Sequence, residues 1–255
     1  MKNRYFIRLS FLGKNYHGWQ TQKNANSVQS ILNETLSVLL REKITSTGAG
    51  RTDAGVHAKE FYAHFDTTHL LEEKRMNDLI FHMNGYLPDD IGIHDVFRVL
   101  PGAHARFSAV SRTYQYYIAQ IKDPFMHGFS FFYSVPLNIQ KMNEGAAFIK
   151  SCNDFTSFAK LPYETKTNIC KITDAHWERK ENLLLFTITA DRFLRNMVRA
   201  IVGTLIDLGR GKTDLNDLKV IIESKDRSSA GSSVPGYGLY LTSVRYPESI
   251  YYHVI

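Results

Sequence analysis

The sequence predicts an α+β fold built from two similar halves. Three observations carry that expectation. Apolar residues alternate with a period of two in some stretches and recur in helical stripes in others; the order strand, helix, strand, strand, helix, strand is complete before Pro101-Gly102; and the same plan, with one extra helix, recurs after it.

Tyr5, Ile7, Leu9 and Phe11 alternate, which reads as a strand with a single buried face. Val28, Ile31, Leu32, Leu36, Leu39 and Leu40 form a helical stripe, and Asn26 with Gln29 three residues later resembles a capping box. A short strand around Ile44 leads into a glycine-rich stretch, and alternation resumes at Phe61, Ala63 and Phe65. Met76, Leu79, Ile80 and Met83 mark a second helix stopped by Pro88, and Ile91 to Val99 closes the unit as a strand. This is the split βαβ, or ferredoxin-like, order.

After Pro101-Gly102, Tyr114, Tyr116 and Ile118 open a strand, and Ile139, Met142, Ala146 and Ile149 form a helix. Strands follow around Ile169 to Trp177 and Leu183 to Thr189. A long helix from about Arg192 to Leu208 ends at Gly209 as C-cap, a shorter one spans Asp214 to Glu223, and a last strand runs from Leu239 to Tyr246. Residues 1–104 and 105–255 are the two expected domains, with a cleft between them as the default site. The Ser- and Gly-rich segment from Lys225 to Gly238 is a loop, either a connector or a flap.

Composition bounds the function. With 44% hydrophobic, 22% charged and 13% aromatic residues among 255, disordered, collagenous and coiled-coil classes drop out. A net charge of +6 leans towards a polyanionic partner. Two cysteines without a CxxC, and no HExxH, give no disulfide scaffold or metal motif, and the ten histidines show no ligand spacing, so no metal is expected. No apolar run approaches the roughly 18 residues of a membrane span, so neither membrane nor targeting signal is expected and the cytoplasm fits.

The densest chemical signal is Gly48-Ala49-Gly50-Arg51-Thr52-Asp53-Ala54-Gly55-Val56-His57-Ala58, between two predicted strands. Glycines allow tight turns and close approach, so Asp53 would be presented rather than buried. No GxxxxGK[ST] occurs, and a strand rather than a helix follows, which argues against a phosphate cradle. The plain alternative is an Asp that only caps a turn. On the long helix, Leu194, Met197, Val198, Ile201, Leu205 and Leu208 share a core side while Arg192, Arg195 and Arg199 project opposite, either as a solvated face or as a lining that grips phosphates or pairs with a carboxylate. Tyr114, Tyr116 and Tyr117, with Arg106 and Arg112 nearby, interleave aromatics with cations as base-stacking sites do, although such tyrosines also serve ordinary strand packing.

Taken together these residues resemble the tRNA pseudouridine synthase A family. The likeness runs through Gly18-Trp19-Gln20-Thr21-Gln22, Val28-Gln29, the Gly-Arg-Thr-Asp-Ala-Gly-Val-His stretch, Asn84 with Leu87-Pro88 and Ile91, and Phe107-Ser108-Ala109. It continues through Arg112-Thr113-Tyr114-Gln115-Tyr116, Phe193 to Arg199 followed by Ile201-Val202-Gly203, and Gly238-Leu239-Tyr240-Leu241. The resemblance implies an isomerase that converts uridine to pseudouridine at positions 38, 39 and 40 in the anticodon stem and loop of tRNA, as a homodimer with no cofactor. It implies Asp53 as the catalytic aspartate, Tyr114 as the tyrosine on the target base, Arg199 as the arginine pairing with the carboxylate, and Arg51 as the arginine holding the base out of the stack. It also implies two α+β halves joined through a continuous mixed, mainly antiparallel sheet. Arg192 and Arg195 are candidates for the RNA backbone. Two departures bear on substrate choice: Val234-Pro235 stands where Ala-Pro is common in the family, and the aromatic segment Phe125 to Tyr133 has no assigned role.

Two rival readings stay open. A non-catalytic RNA-binding module would use the basic and aromatic residues with Asp53 only shaping a turn. A hydrolase would use Asp53 as nucleophile but lacks a convincing second carboxylate to act as acid.

Overall fold

The computed structural model describes residues 2–160 and 167–252. Among the described residues there are nine strands and five α-helices in an α+β arrangement whose strands are mainly antiparallel, Ser111–Ala119 and Phe131–Phe132 pairing parallel. Two compact units form: Met1–Val110 with Leu241–Ile255, and Ser111–Tyr240.

In the first unit the elements are β1 (Asn3–Phe11), α1 (Val28–Leu40), β2 (Thr47–Gly48), β3 (His57–Thr67), α2 (Glu73–Tyr86) and β4 (Ile91–Arg98). Strand β1 lies between β4 and β3, antiparallel to both, and β2 pairs antiparallel with β3. This is the split βαβ order expected from the sequence. Register matches the apolar alternation, with Tyr5 opposite Phe65, Ile7 opposite Ala63 and Leu9 opposite Phe61. The predicted stripes are buried at Val28, Leu32, Leu36 and Leu40 of α1 and at Leu79 and Met83 of α2.

Three local expectations need correction. Ile44 is buried but not in a strand; the strand is the two-residue β2. The N-cap of α1 is Ser27, whose hydroxyl accepts from the Ser30 amide at 3.2 Å, and not Asn26. Gln29 is drawn off elsewhere: its amide donates to the Ser46 carbonyl at 2.7 Å and its oxygen accepts from the Thr21 amide. Nor does β1 have one buried face. Phe6, on the face opposite Tyr5 and Ile7, is fully buried with Val99, Ala103, Ala105 and Ile250, because the segments after β4 and at the C-terminus cover it.

The second unit contains β5 (Ser111–Ala119), β6 (Phe131–Phe132), α3 (Ile139–Ser151), β7 (Ile172–Lys180), β8 (Leu183–Ala190), α4 (Met197–Gly209) and α5 (Leu215–Ser224), with β9 (Leu239–Arg245) leading out of it. Strand β8 lies antiparallel between β5 and β7. The order repeats that of the first unit, with α5 as the extra helix and the two-residue β6 as an extra strand that the sequence pattern does not predict. Helices α3 and α4 approach closely: a side chain at Gly145 would meet Leu208 and Leu205 at 2.5 and 2.7 Å.

Candidate active site

The Asp53 loop belongs to the first unit. Its turn is closed by the Val56 amide donating to the Asp53 carbonyl at 3.2 Å, with Gly55 at φ +78°, a conformation that glycine adopts without strain. A second segment, residues 13–19, braces the turn from behind. The Gly55 amide donates to the Tyr16 carbonyl, the Trp19 amide to Thr52 Oγ1 at 3.0 Å, and the Gly13 amide to His57 Nδ1 at 3.0 Å in a buried contact. A Cβ at Gly18, whose φ is +92°, would stand 2.1 Å from the Thr52 carbonyl oxygen, and one at Gly13 2.0 Å from that of Val56. Trp19 lies over Gly48 and packs on Phe61 with ring centroids 4.2 Å apart. The loop is therefore held at three points by the 13–19 backbone, while Asp53 and Thr52 are half-buried and Arg51 is exposed. Asp53 is thus neither fully enclosed nor fully exposed, and Arg51 stands two residues before it. Buried His57 supports the turn.

The other predicted residues belong to the second unit. Tyr114 lies on β5, half-buried, with the Phe193 ring edge-on at 5.1 Å and 90°. Its neighbours on the strand serve packing. Tyr116 is buried, donates its hydroxyl to the Pro235 carbonyl at 2.9 Å and has its phenol pushed well up by burial. Tyr117 donates to Gln115 Oε1 and meets Tyr240 edge-on.

The expected arginine face of a helix starting at Arg192 does not form. Helix α4 starts at Met197, after Asn196 in the left-handed region at φ 65°, so Arg192 and Arg195 precede the helix and only Arg199 lies on it. The reason is local. The Asp191 carboxylate accepts from the Lys171 and Arg192 amides, and the Arg195 carbonyl from the Lys160 amide, which hold residues 191–195 in a loop. The apolar residues predicted on the core side are all buried, as are Ala200, Val202, Gly203, Thr204 and Ile206, so α4 is enclosed nearly all round. Half-buried Arg199 donates from Nε to the Val234 carbonyl at 2.7 Å and accepts from the Val234 amide on its own carbonyl.

The 225–238 segment, which the sequence leaves as connector or flap, is strapped onto α4. Gly203 has no room for a Cβ, which would stand 1.9 Å from the Ser232 carbonyl oxygen, and the Gly231 amide donates to Thr204 Oγ1 at 2.9 Å. Composition reveals the loop but not this docking. In the 125–133 segment, the Phe129 carbonyl accepts the Tyr240 hydroxyl and β6 pairs parallel with β5, so part of that segment is structural.

A family model described as tRNA pseudouridine synthase matches residues 152–247. The tRNA pseudouridine synthase A of Parabacteroides distasonis is 48% identical over 253 residues, covering 97% of this chain and 98% of its own. That of Bacteroides fragilis is 49% identical over 249 residues, covering 97% and 98%. The chain belongs to the tRNA pseudouridine synthase A family. The tRNA pseudouridine synthase A of Bacillus subtilis is more distant, 38% identical over 242 residues, covering 93% and 97%. The matched family region contains α4 and the strap, and so the Arg199–Val234 contact; the Asp53 loop lies outside that region but within the span shared with the full-length tRNA pseudouridine synthase A relatives.

Proposed function

We propose that the protein isomerises uridine to pseudouridine at positions 38, 39 and 40 in the anticodon stem and loop of tRNA, acting as a homodimer in the cytoplasm, with Asp53 as the catalytic carboxylate. The observation that carries this reading is near-full-length identity of 48–49% with tRNA pseudouridine synthase A enzymes. The bracing of the Asp53 turn by the 13–19 backbone supports the residue assignment. Two free thiols, Cys152 and Cys170, suit a reducing compartment. Among the described residues no helix is long and apolar enough to cross a membrane.

The chemistry exchanges a glycosidic C–N bond for a C–C bond within one nucleotide, so atoms and electrons balance without donor or oxidant. Detaching uracil builds positive character at the sugar carbon, which an ionised carboxylate stabilises or traps covalently. In this reading Arg199 is the cation that pairs with the Asp53 carboxylate in the reacting complex. Extruding the base from its stack costs a few kcal/mol, which stacking on Tyr114 and insertion of Arg51 offset. Arg192 and Arg195 hold backbone phosphates. The test is incubation of purified protein with unmodified tRNA, without added cofactor, followed by mapping of pseudouridine through carbodiimide-dependent primer stops. Stops at positions 38–40 are expected; tRNA that is bound and never modified would contradict the reading and favour an RNA-binding module.

A further inference from the structure

Two hydrogen bonds tie Arg199 to Val234 of the strap. Val234 receives the Nε hydrogen bond on its carbonyl at 2.7 Å and donates its amide to the Arg199 carbonyl at 3.2 Å. With Nε engaged, rotation about the last side-chain bond is fixed, so the plane of the guanidinium, and with it the aim of its terminal NH2 groups, follows the Val234 carbonyl. What sets residue 234 therefore bears directly on the aim of Arg199.

On one side that role falls to Pro235, whose carbonyl accepts the Tyr116 hydroxyl. On the other it falls to Ser233, and here the contacts are unusually dense. The Ser233 hydroxyl accepts from Asn196 Nδ2 at 2.6 Å and from Arg227 Nη2 at 2.8 Å, using both of its lone pairs. Asn196 immediately precedes α4, yet its side chain does not cap the helix. It reaches the strap instead. Arg227 also donates from Nη1 to the Ala230 and Gly231 carbonyls at 3.4 and 3.3 Å, so one guanidinium braces the bend between residues 227 and 233. The strap is attached to α4 separately, at Gly203, Thr204 and Gly231. Removing the Arg227–Ser233 contact therefore leaves the strap docked but loosens the chain on one flank of residue 234.

We propose that Arg227, acting through Ser233, is a positioning residue that aims Arg199 for the isomerisation. The proposal rests on the reading of Arg199 as the partner of the catalytic carboxylate.

The experiment is single-turnover isomerisation with enzyme in excess over an unmodified tRNA transcript, for Arg227→Gln, Ser233→Ala, Ser233→Thr and Arg199→Gln. Affinity for the transcript is measured by filter binding. The rate constant reports active molecules only, whereas misfolding lowers the amplitude. Arg227→Gln and Ser233→Ala are expected to slow the rate constant by about tenfold or more, as misplacement by a fraction of an ångström does. Their Kd should stay within about twofold, and Ser233→Thr, which keeps the hydroxyl, should recover most of the rate. A wild-type rate constant in Arg227→Gln and Ser233→Ala beside a slow Arg199→Gln would overturn the proposal, as would a loss confined to amplitude or to tRNA affinity. A wild-type rate constant in Arg199→Gln would instead overturn the reading of Arg199 itself, and the proposal with it.

Discussion

Asp53 is fixed by residues more than thirty positions earlier in the chain. Gly13 and Gly18 bring their backbones against the carbonyls of Val56 and Thr52, and a methyl group at either would collide with main chain that has nowhere to retreat. Gly18→Ala adds the cost of a left-handed alanine to that collision, and the expected loss of stability is at least about 2 kcal/mol, read from urea unfolding. Gly50 is the counter-case. Nothing stands within 4 Å of its would-be Cβ and its φ is not positive, so Gly50→Ala should change stability by no more than about 1 kcal/mol, and its expected sign is stabilising. The sequence makes the presenting loop legible because the Gly-rich stretch is local to Asp53. It does not separate Gly55, which a turn requires, from Gly50, which no contact requires, and it gives no sign that Gly13 and Gly18 are the brace, since those contacts exist only after folding.

At the scale of elements, periodicity finds the longer helices and strands, while the errors fall at their ends and on the two-residue strands β2 and β6. The stripe from Leu194 to Leu208 is a true core pattern, yet it includes Leu194, which is buried from a loop. Loop residues bury apolar side chains too, so a stripe alone cannot mark where a helix begins; the left-handed Asn196 sets the start here. A second device is equally hidden. Asn84 of α2 donates its amide to the Ile93 carbonyl at 2.8 Å and accepts from the Ile93 amide at 2.7 Å, clasping β4. Asn143 of α3 does the same to Trp177 of β7, at 3.0 and 2.7 Å. Each polar helix residue thus satisfies both backbone groups of a residue in an outer strand. Alanine at either position should cost about 1–3 kcal/mol, and a double-mutant cycle between them should be additive, because they stand in different units.

The molecule as a whole adds two consequences of charge and closure. The C-terminal segment returns to the first unit, where the Tyr246 hydroxyl donates to the Ala105 carbonyl at 2.6 Å and the Leu100 amide to that of Ile250 at 3.0 Å. No pattern in residues 241–252 announces this, since their partners are a hundred or more positions away. Under the same cover sits His64, whose Nδ1 accepts from the Ala105 amide and whose pKa is lowered to about 4 by burial, then by the Arg4 and His104 charges, against a smaller opposing effect of Asp66. His64 is neutral in the fold and protonates more readily once unfolded, so it draws stability down as pH falls from 6.5 towards about 4. His104, also lowered, acts in the same direction, whereas the carboxyl of Asp66, held down by Arg4, adds a stabilisation that is lost only as pH falls through 3.8 and lower. His64→Gln should therefore flatten the decline in unfolding free energy between pH 6.5 and 4, measured by urea titration at each pH; an unchanged slope would contradict the assignment. The net charge of +6 predicts tRNA affinity that falls linearly with the logarithm of salt concentration.

The central claim is that the Asp53 carboxylate performs the isomerisation. Replacing it by Asn keeps size and hydrogen-bonding shape while removing the charge, so the decisive measurement is the single-turnover rate of Asp53→Asn on an unmodified transcript, with binding measured alongside. A loss of at least about a thousandfold in rate, with tRNA binding retained, is expected. Pseudouridine formation by Asp53→Asn at a rate near that of the wild type would contradict it.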